Sequence, residues 1–311
     1  MQTSVRRKNG ASFGKQMKRT WQLSVFLLPA VCVVILFNYL PMSGVLMAFQ
    51  RFNPSKGIAG SPWVGLTHFQ RFFNSYNSVS TITNTVILSL LSLIFSFPAP
   101  ILLAVMLNQM EKPGLKKAVQ TVTYLPYFIS IVVLVSLINL FLSPQRGLYG
   151  VLMNALGVKN PVNPITDPAC FRPVYIISAI WQTTGYQSII YLASLSAVDP
   201  ALHEAAMIDG ANKIQRVLHV DIPTIIPTVI IMFILACGSL MNVGFEKTYL
   251  MQNTLNLSVS EVLQTYIYKV GLQNAQYSFS TAINLFNTLI NIFLLLLMNF
   301  ISRRLSETAL L

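Results

Sequence analysis

The chain has 311 residues and very little charge: only 10 % are Asp, Glu, Lys or Arg, against about 25 % in ordinary soluble domains. A soluble fold of this length could bury a large core, but it would lack the charged surface to stay in water. Cysteine is scarce too. Cys32 and Cys237 lie in apolar stretches, Cys170 lies in a polar one, and no CxxC occurs. That excludes a disulfide framework and leaves small apolar filler as their role. Catalytic signatures are missing: there is no HExxH and no GxSxG. His68, His203 and His219 are too few for a metal site and read as solvated loop residues. The nearest approach to a phosphate loop, GASFGKQ at 10–16, is one residue short and puts Gln16 where Ser or Thr must hold Mg²⁺. The chain is therefore not read as an enzyme, and no cofactor or metal is expected on it.

What is present is hydrocarbon, 54 % of the residues. All 21 basic and 9 acidic residues fall outside six apolar segments, 21–40, 80–109, 119–143, 173–197, 223–243 and 279–301. Each can cross a hydrocarbon core, which takes roughly 20 residues at helical rise. None shows the short alternating pattern of a barrel strand. The expected fold is an all-α membrane protein with six transmembrane helices. The first segment has a basic lead like a signal peptide, but its apolar run is too long, and it reads as a retained helix.

Lys and Arg orient the chain. With the N-terminus inside, segments 1–20, 110–118, 198–222 and 302–311 hold 13 basic residues, whereas the longer segments 41–79, 144–172 and 244–278 hold 8. The bias puts both termini in the cytoplasm. The expected organisation is a basic cytoplasmic N-terminus over 1–20 and a six-helix domain over 21–311. The net charge of +12 then reflects contact with anionic lipid headgroups. No basic patch interleaved with aromatics supports nucleic-acid binding. Absence of acid, Lys or Arg from every span counts against a proton-coupled carrier. Pro98 and Pro100 predict a kink in the second segment, and Pro126 falls early in the third. No internal repeat of 20 to 50 residues is visible.

One polar loop separates two of the most apolar segments. Residues 198–223 read VDPALHEAAMIDGANKIQRVLHVDIP. Asp199 suits an N-cap and Pro200 the first helical position. Asp209–Gly210 supplies a turn, with Gly210 free to take the left-handed conformation. A second helix follows, with Ile214, Val217 and Leu218 on one face, and Pro223 opens the fifth segment. This chemistry fits either an amphipathic loop resting on the membrane or a docking element for a soluble partner.

The spacing of Glu204, Ala205, Ala206, Gly210, Val220, Ile222 and Pro223 resembles the EAA signature of ABC-importer permeases. Only the Val and Ile depart from it, where Ile and Leu are usual. The IDGA form, Ile208 to Ala211, is similar to the carbohydrate branch. The stretches 38–73, 240–251 and 261–272 resemble the polysaccharide and oligosaccharide type. The resemblance implies the type I importer permease fold in a bacterial cytoplasmic (inner) membrane. It implies a second homologous permease, two cytoplasmic ATPase subunits carrying ATP and Mg²⁺, and an extracytoplasmic binding protein that delivers an oligosaccharide. It also implies that the loop over 198–223 couples to the ATPase. Glu204 would make polar contacts there, Ala205 and Ala206 would permit close seating, and Asp209, Gly210 and Pro223 would shape the break.

An oligosaccharide needs amides, hydroxyls and aromatic faces. Trp181, Gln182, Tyr186, Gln187 and Tyr191 in the fourth segment offer them, as do Asn284 and Asn287 in the sixth. Asn242 falls near the position where sugar permeases of this type carry asparagines. Glu246 and Lys247 read as a possible pair in the outer loop. Arg51, Lys56, Arg71, Arg146, Lys159 and Arg172 on the outer segments would suit an acidic, polysaccharide-derived cargo or the binding protein. The competing reading is a self-contained secondary sugar carrier. A lipid-linked-sugar enzyme is weaker, because Asp167, Glu246 and Glu261 are the only outer acids.

Overall fold

The computed structural model describes residues 21–305. The basic segment 1–20, with its GASFGKQ stretch, and residues 306–311 lie outside the described residues. Within them the chain is helical, and the one β pairing is an antiparallel bridge between Gln50 and Trp63.

Four helical runs are long and apolar enough to cross a membrane: Val25–Phe49, Tyr76–Asn108, Lys213–Gly238 and Tyr277–Arg304. The first begins as α1 (Trp21–Val34) and tightens and widens along its length into other helical forms up to Phe49. The second comprises α2 (Tyr76–Ser96) and α3 (Pro98–Asn108). The kink predicted at Pro98 and Pro100 is milder than expected. Phe97 keeps helical angles (φ −70°, ψ −43°), so the interruption removes hydrogen bonds without turning the axis sharply.

The span expected over 119–143, with Pro126 early in it, is broken. Helix α4 (Pro113–Tyr124) passes through a 3₁₀ turn at Leu125–Phe128 into α5 (Ile131–Phe141), and the pair is bent by 100°. Pro126 sits inside the turn. Ser130 caps α5, its Oγ accepting from Val133 N–H. Counted as one, this bent pair is a fifth run able to cross a membrane.

The 173–197 segment forms α6 (Pro168–Ser196), 29 residues long and about 43 Å at helical rise. It is too polar to count among the four runs above. It packs against α2, α3 and α4, which buries Gln182 and Ser188 and leaves Gln187 exposed. Gly185 marks the closest approach: a Cβ there would lie 2.0 Å from Thr123 O. Three further helices bear on function: α7 (Pro200–Ile208), α8 (Lys213–Arg216) and α9 (Ile222–Gly238). After α9 come the short helices α10 (Phe245–Met251) and α11 (Leu263–Tyr268), then the long α12 (Tyr277–Leu305).

The core is divided into three clusters. One joins Leu88, Phe171, Tyr175 and Val262, one joins Phe72, Met241, Leu263 and Phe279, and one joins Ala104, Tyr191, Leu195 and Ile225. Buried polar side chains pin the loops to the helices between them. Thr85 Oγ accepts from Leu263 N–H at 2.8 Å, and Asn84 Nδ2 donates to Ser258 O at 2.9 Å.

Candidate functional site: a polar groove and a capped loop

Three helices, α2, α6 and the end of α9, and the loop after α9 build a groove of about 290 Å³. From α2 come Ser89, Ser92 and Ser96, at the i, i+3, i+7 spacing that puts them on one face. From α6 come Tyr175, Ala179, Thr183 and Gln187, each four residues after the last. Asn242 and Gly244 complete it after the end of α9. The lining holds hydroxyls and amides and no charged side chain. The Oγ atoms of Ser89 and Ser96 are buried and make no hydrogen bond among the described residues.

Asn242 is held in one orientation. Its Oδ1 accepts from Gln264 Nε2 at 3.1 Å, Asn287 Nδ2 at 3.0 Å and Asn291 Nδ2 at 3.2 Å. Three donors on one oxygen fix which end of the amide is which. The Asn242 NH₂ group is left as a positioned donor for the groove. Asn291 also anchors the backbone, its Oδ1 accepting from Met241 N–H at 3.0 Å.

The structure sorts the residues expected along a sugar path. Gln187 and Asn242 meet in the groove. Asn287 is 1 % exposed and orients Asn242. Gln182 is buried and donates to Ile129 O at 3.0 Å, tying α6 to the bend before α5. Tyr191 is 2 % exposed within the third core cluster, where burial comes from packing. Tyr186 stacks on Tyr127 with ring centroids 3.9 Å apart. Trp181 and Asn284 are exposed on the outer faces of their helices, away from the groove lining. The serine column of α2 and Thr183 were missed as a set. Their helical spacing in an otherwise apolar run was the available signal.

The expected Glu246–Lys247 pair does not form. Glu246 is exposed, while Lys247 is buried against Tyr175, its Nζ donating to Tyr175 O at 2.9 Å. The helical turn of α10 sends adjacent side chains to different faces.

The second site is the loop over 198–223. Asp199 caps α7, Oδ1 accepting from Ala201 N–H at 2.9 Å. Gly210 has φ +81°, the left-handed value the turn requires. Asn212 and Gln215 then form a reciprocal capping box at the start of α8. The helix widens into a π turn over Val217–Asp221, where Ile222 N–H reaches back to Val217 O. Pro223, which has no N–H to give, follows directly, so α8 and α9 run on as one. Glu204, Ala205, Asp209 and Gly210 are exposed and Ala206 half-buried. Around them Ile208 is 86 % and Ile214 71 % exposed. These are large apolar side chains left open on an otherwise polar loop.

Sequence reasoning missed Asp221. It is fully buried, and Gln109 Nε2 donates to its Oδ2 at 2.7 Å. His203 Nε2 lies 3.3 Å from Oδ1, so His203 is a fastened residue and not a freely solvated one. Asp221 thus joins α7, the end of the α2–α3 run and the foot of α9. On the same face Lys213 pairs with Glu111, and that hydrogen bond holds the Glu111 carboxyl below its usual range. A cavity of about 490 Å³ lies between them, lined in part by His203, Glu204 and Arg216.

A membrane-embedded helical body with an uncharged polar groove and a capped loop that exposes an apolar face is the architecture of a transport permease. Residues 77–307 match the family described as binding-protein-dependent transport system inner membrane component, and the chain belongs to that family. It is an integral membrane transport subunit and not itself an enzyme. Among its relatives, Protein LplB of Bacillus subtilis is 37 % identical over 301 residues, covering 97 % of this chain and 94 % of LplB. The polygalacturonan/rhamnogalacturonan transport system permease protein YteP of the same organism is 39 % identical, over 92 % of this chain and 88 % of YteP. A solved bacterial ABC transporter involved in import of the acidic polysaccharide alginate contains a chain 40 % identical. It superposes with a TM-score of 0.88 over 95 % of this chain and 100 % of that one. The chain is therefore a carbohydrate ABC-importer permease.

Proposed function

We propose that this chain is one half of a heterodimeric permease that moves acidic oligosaccharides into the cytoplasm of a bacterium. In this reading six helices cross the cytoplasmic membrane, the bent α4–α5 pair and α6 each counting as one, with both termini inside. A binding protein delivers the sugar from outside, and two ATPase subunits drive the cycle from below. The exposed face of α7, with Glu204, Ala205 and Ala206, seats in the ATPase. Gly210 supplies the turn that lets it project.

The observation that carries the substrate reading is the groove. It offers hydroxyls and a positioned amide donor, contains no carboxylate that would repel an anion, and leaves two buried serine hydroxyls without partners among the described residues. The relatives point the same way: one carries polygalacturonan, a polyuronate, in its name, and a solved neighbour imports an acidic polysaccharide. That neighbour has also been solved in complex with a pentasaccharide-bound periplasmic protein, which supports a binding protein as donor here.

The test is uptake by the complete complex, reconstituted in liposomes with its binding protein. Uronate oligosaccharides should enter with ATP hydrolysis. Entry of neutral oligosaccharides alone, of equal length, would refute the acidic cargo.

A further inference from the structure

Lys247 is a buried amine without an acid, and burial alone disfavours its charged form. Asp167 is engaged as the cap of α6, its Oδ1 accepting from Ala169 N–H at 2.9 Å. Glu261 pairs with Lys269 at 2.9 Å, and Glu246 turns to solvent. Those three are all the acids of the outer segments. Lys247 is 5 % exposed. Its Nζ has the Tyr175 carbonyl at 2.9 Å and the Tyr175 ring centroid at 4.6 Å. Both are partial charges that soften its burial without neutralising it.

Its position matters because of what Tyr175 also does. Tyr175 and Gly244, three residues before Lys247, line the polar groove. The groove has no charge of its own, and the protein around it is a poor dielectric. The protonated form of Lys247 therefore acts on the groove weakly screened, and an anion in the groove favours that form. An anion arriving there supplies the missing countercharge, while a neutral sugar of the same shape gains nothing from it.

We propose that Lys247 is a specificity-determining charge of the groove, favouring oligosaccharides that carry carboxylates as they pass from the binding protein into the membrane. The proposal rests on the acidic-cargo reading above. Lys247 acts from behind Tyr175 and is not a member of the groove lining.

The experiment uses the complete reconstituted importer and a defined galacturonate oligosaccharide as probe. Lys247→Met keeps the apolar stem over Tyr175 and removes the charge. Lys247→Gln also keeps a donor for the Tyr175 carbonyl. Sugar-free ATP hydrolysis and incorporated protein report assembly. Both variants should raise KM for the uronate severalfold with sugar-free hydrolysis unchanged. Wild-type KM in an assembled variant would overturn the proposal and leave the acidic-cargo reading standing. Loss of hydrolysis and uptake together in both variants would make Lys247 a structural anchor and overturn it as well. Failure of the unaltered importer to take up the uronate, with uptake of a neutral oligosaccharide, would remove the cargo reading first and this proposal with it.

Discussion

At the scale of the residue, the most consequential side chains are polar groups whose neighbours decide which atom is free. Asn242 is the clearest. Gln264, Asn287 and Asn291 occupy its Oδ1, so its donors serve the groove. Asn242→Asp keeps an acceptor for those three amides and replaces the donor pair by a carboxylate oxygen. The expected result is normal assembly with at least tenfold lower uptake of anionic sugar, a loss of about 1.4 kcal/mol or more, measured as kcat/KM in liposomes. Lys247 carries a pH signature. Burial pushes its amine down to about 7, from an ordinary 10.5. Between those values the unfolded chain binds a proton that the folded chain does not, so folded stability rises with pH across that window. The melting temperature of the detergent-solubilised protein should climb from pH 7 towards pH 10. Lys247→Met should flatten the climb.

At the scale of the element, the loop over 198–223, the proposed coupling lever, is built from caps. Asp199, Gly210 and the Asn212–Gln215 box each fix one end of a helix too short to persist alone. Gly210→Pro forbids the +81° backbone angle. The chain should still enter the membrane, while sugar uptake and sugar-stimulated ATP hydrolysis disappear. Full uptake by that variant would remove the coupling role of the loop. Asp221 binds this lever to the body. Asp221→Ala removes the acceptor of half-buried Gln109 and His203, at a cost of about 0.5–1.5 kcal/mol for each hydrogen bond lost. A lowered melting temperature, with ATP hydrolysis less responsive to sugar, is the expected readout.

At the scale of the whole molecule, the chain looks unfinished. Large apolar side chains are exposed along α1, α9 and α12, such as Phe26, Leu235 and Phe293. Lipid is the natural cover for such surfaces, and the second permease proposed above would cover part of them. The exposed Ile208 and Ile214 of the loop are where the proposed ATPase contact would seat. This predicts that the purified chain alone, in liposomes loaded with ATP, moves no sugar. Addition of the second permease, the ATPase and the binding protein together should restore uptake. Sugar accumulation by the isolated chain would favour the secondary-carrier reading.

The sequence by itself determined what local chemistry and solvent preference determine. Charge-free runs placed the apolar helices, because lipid rejects unpaired charge. The Asp199 cap, the Pro200 start and the Gly210 turn were legible because each depends on its own residue and near neighbours. Asn242 and Gln187 could be singled out as polar residues in oily surroundings, and the family was legible in the spacing around Glu204. Contacts between distant residues were not. Asp221 reads as one more loop acid until the fold brings Gln109 and His203 against it. Tyr191 and Gln182 look like sugar contacts until packing buries one in a core cluster and ties the other to Ile129. The bend at Leu125–Phe128 and the isolation of Lys247 from its neighbour Glu246 depend on which helices surround them. Only the tertiary structure decides that, because burial and pairing belong to the assembled neighbours and not to the residue.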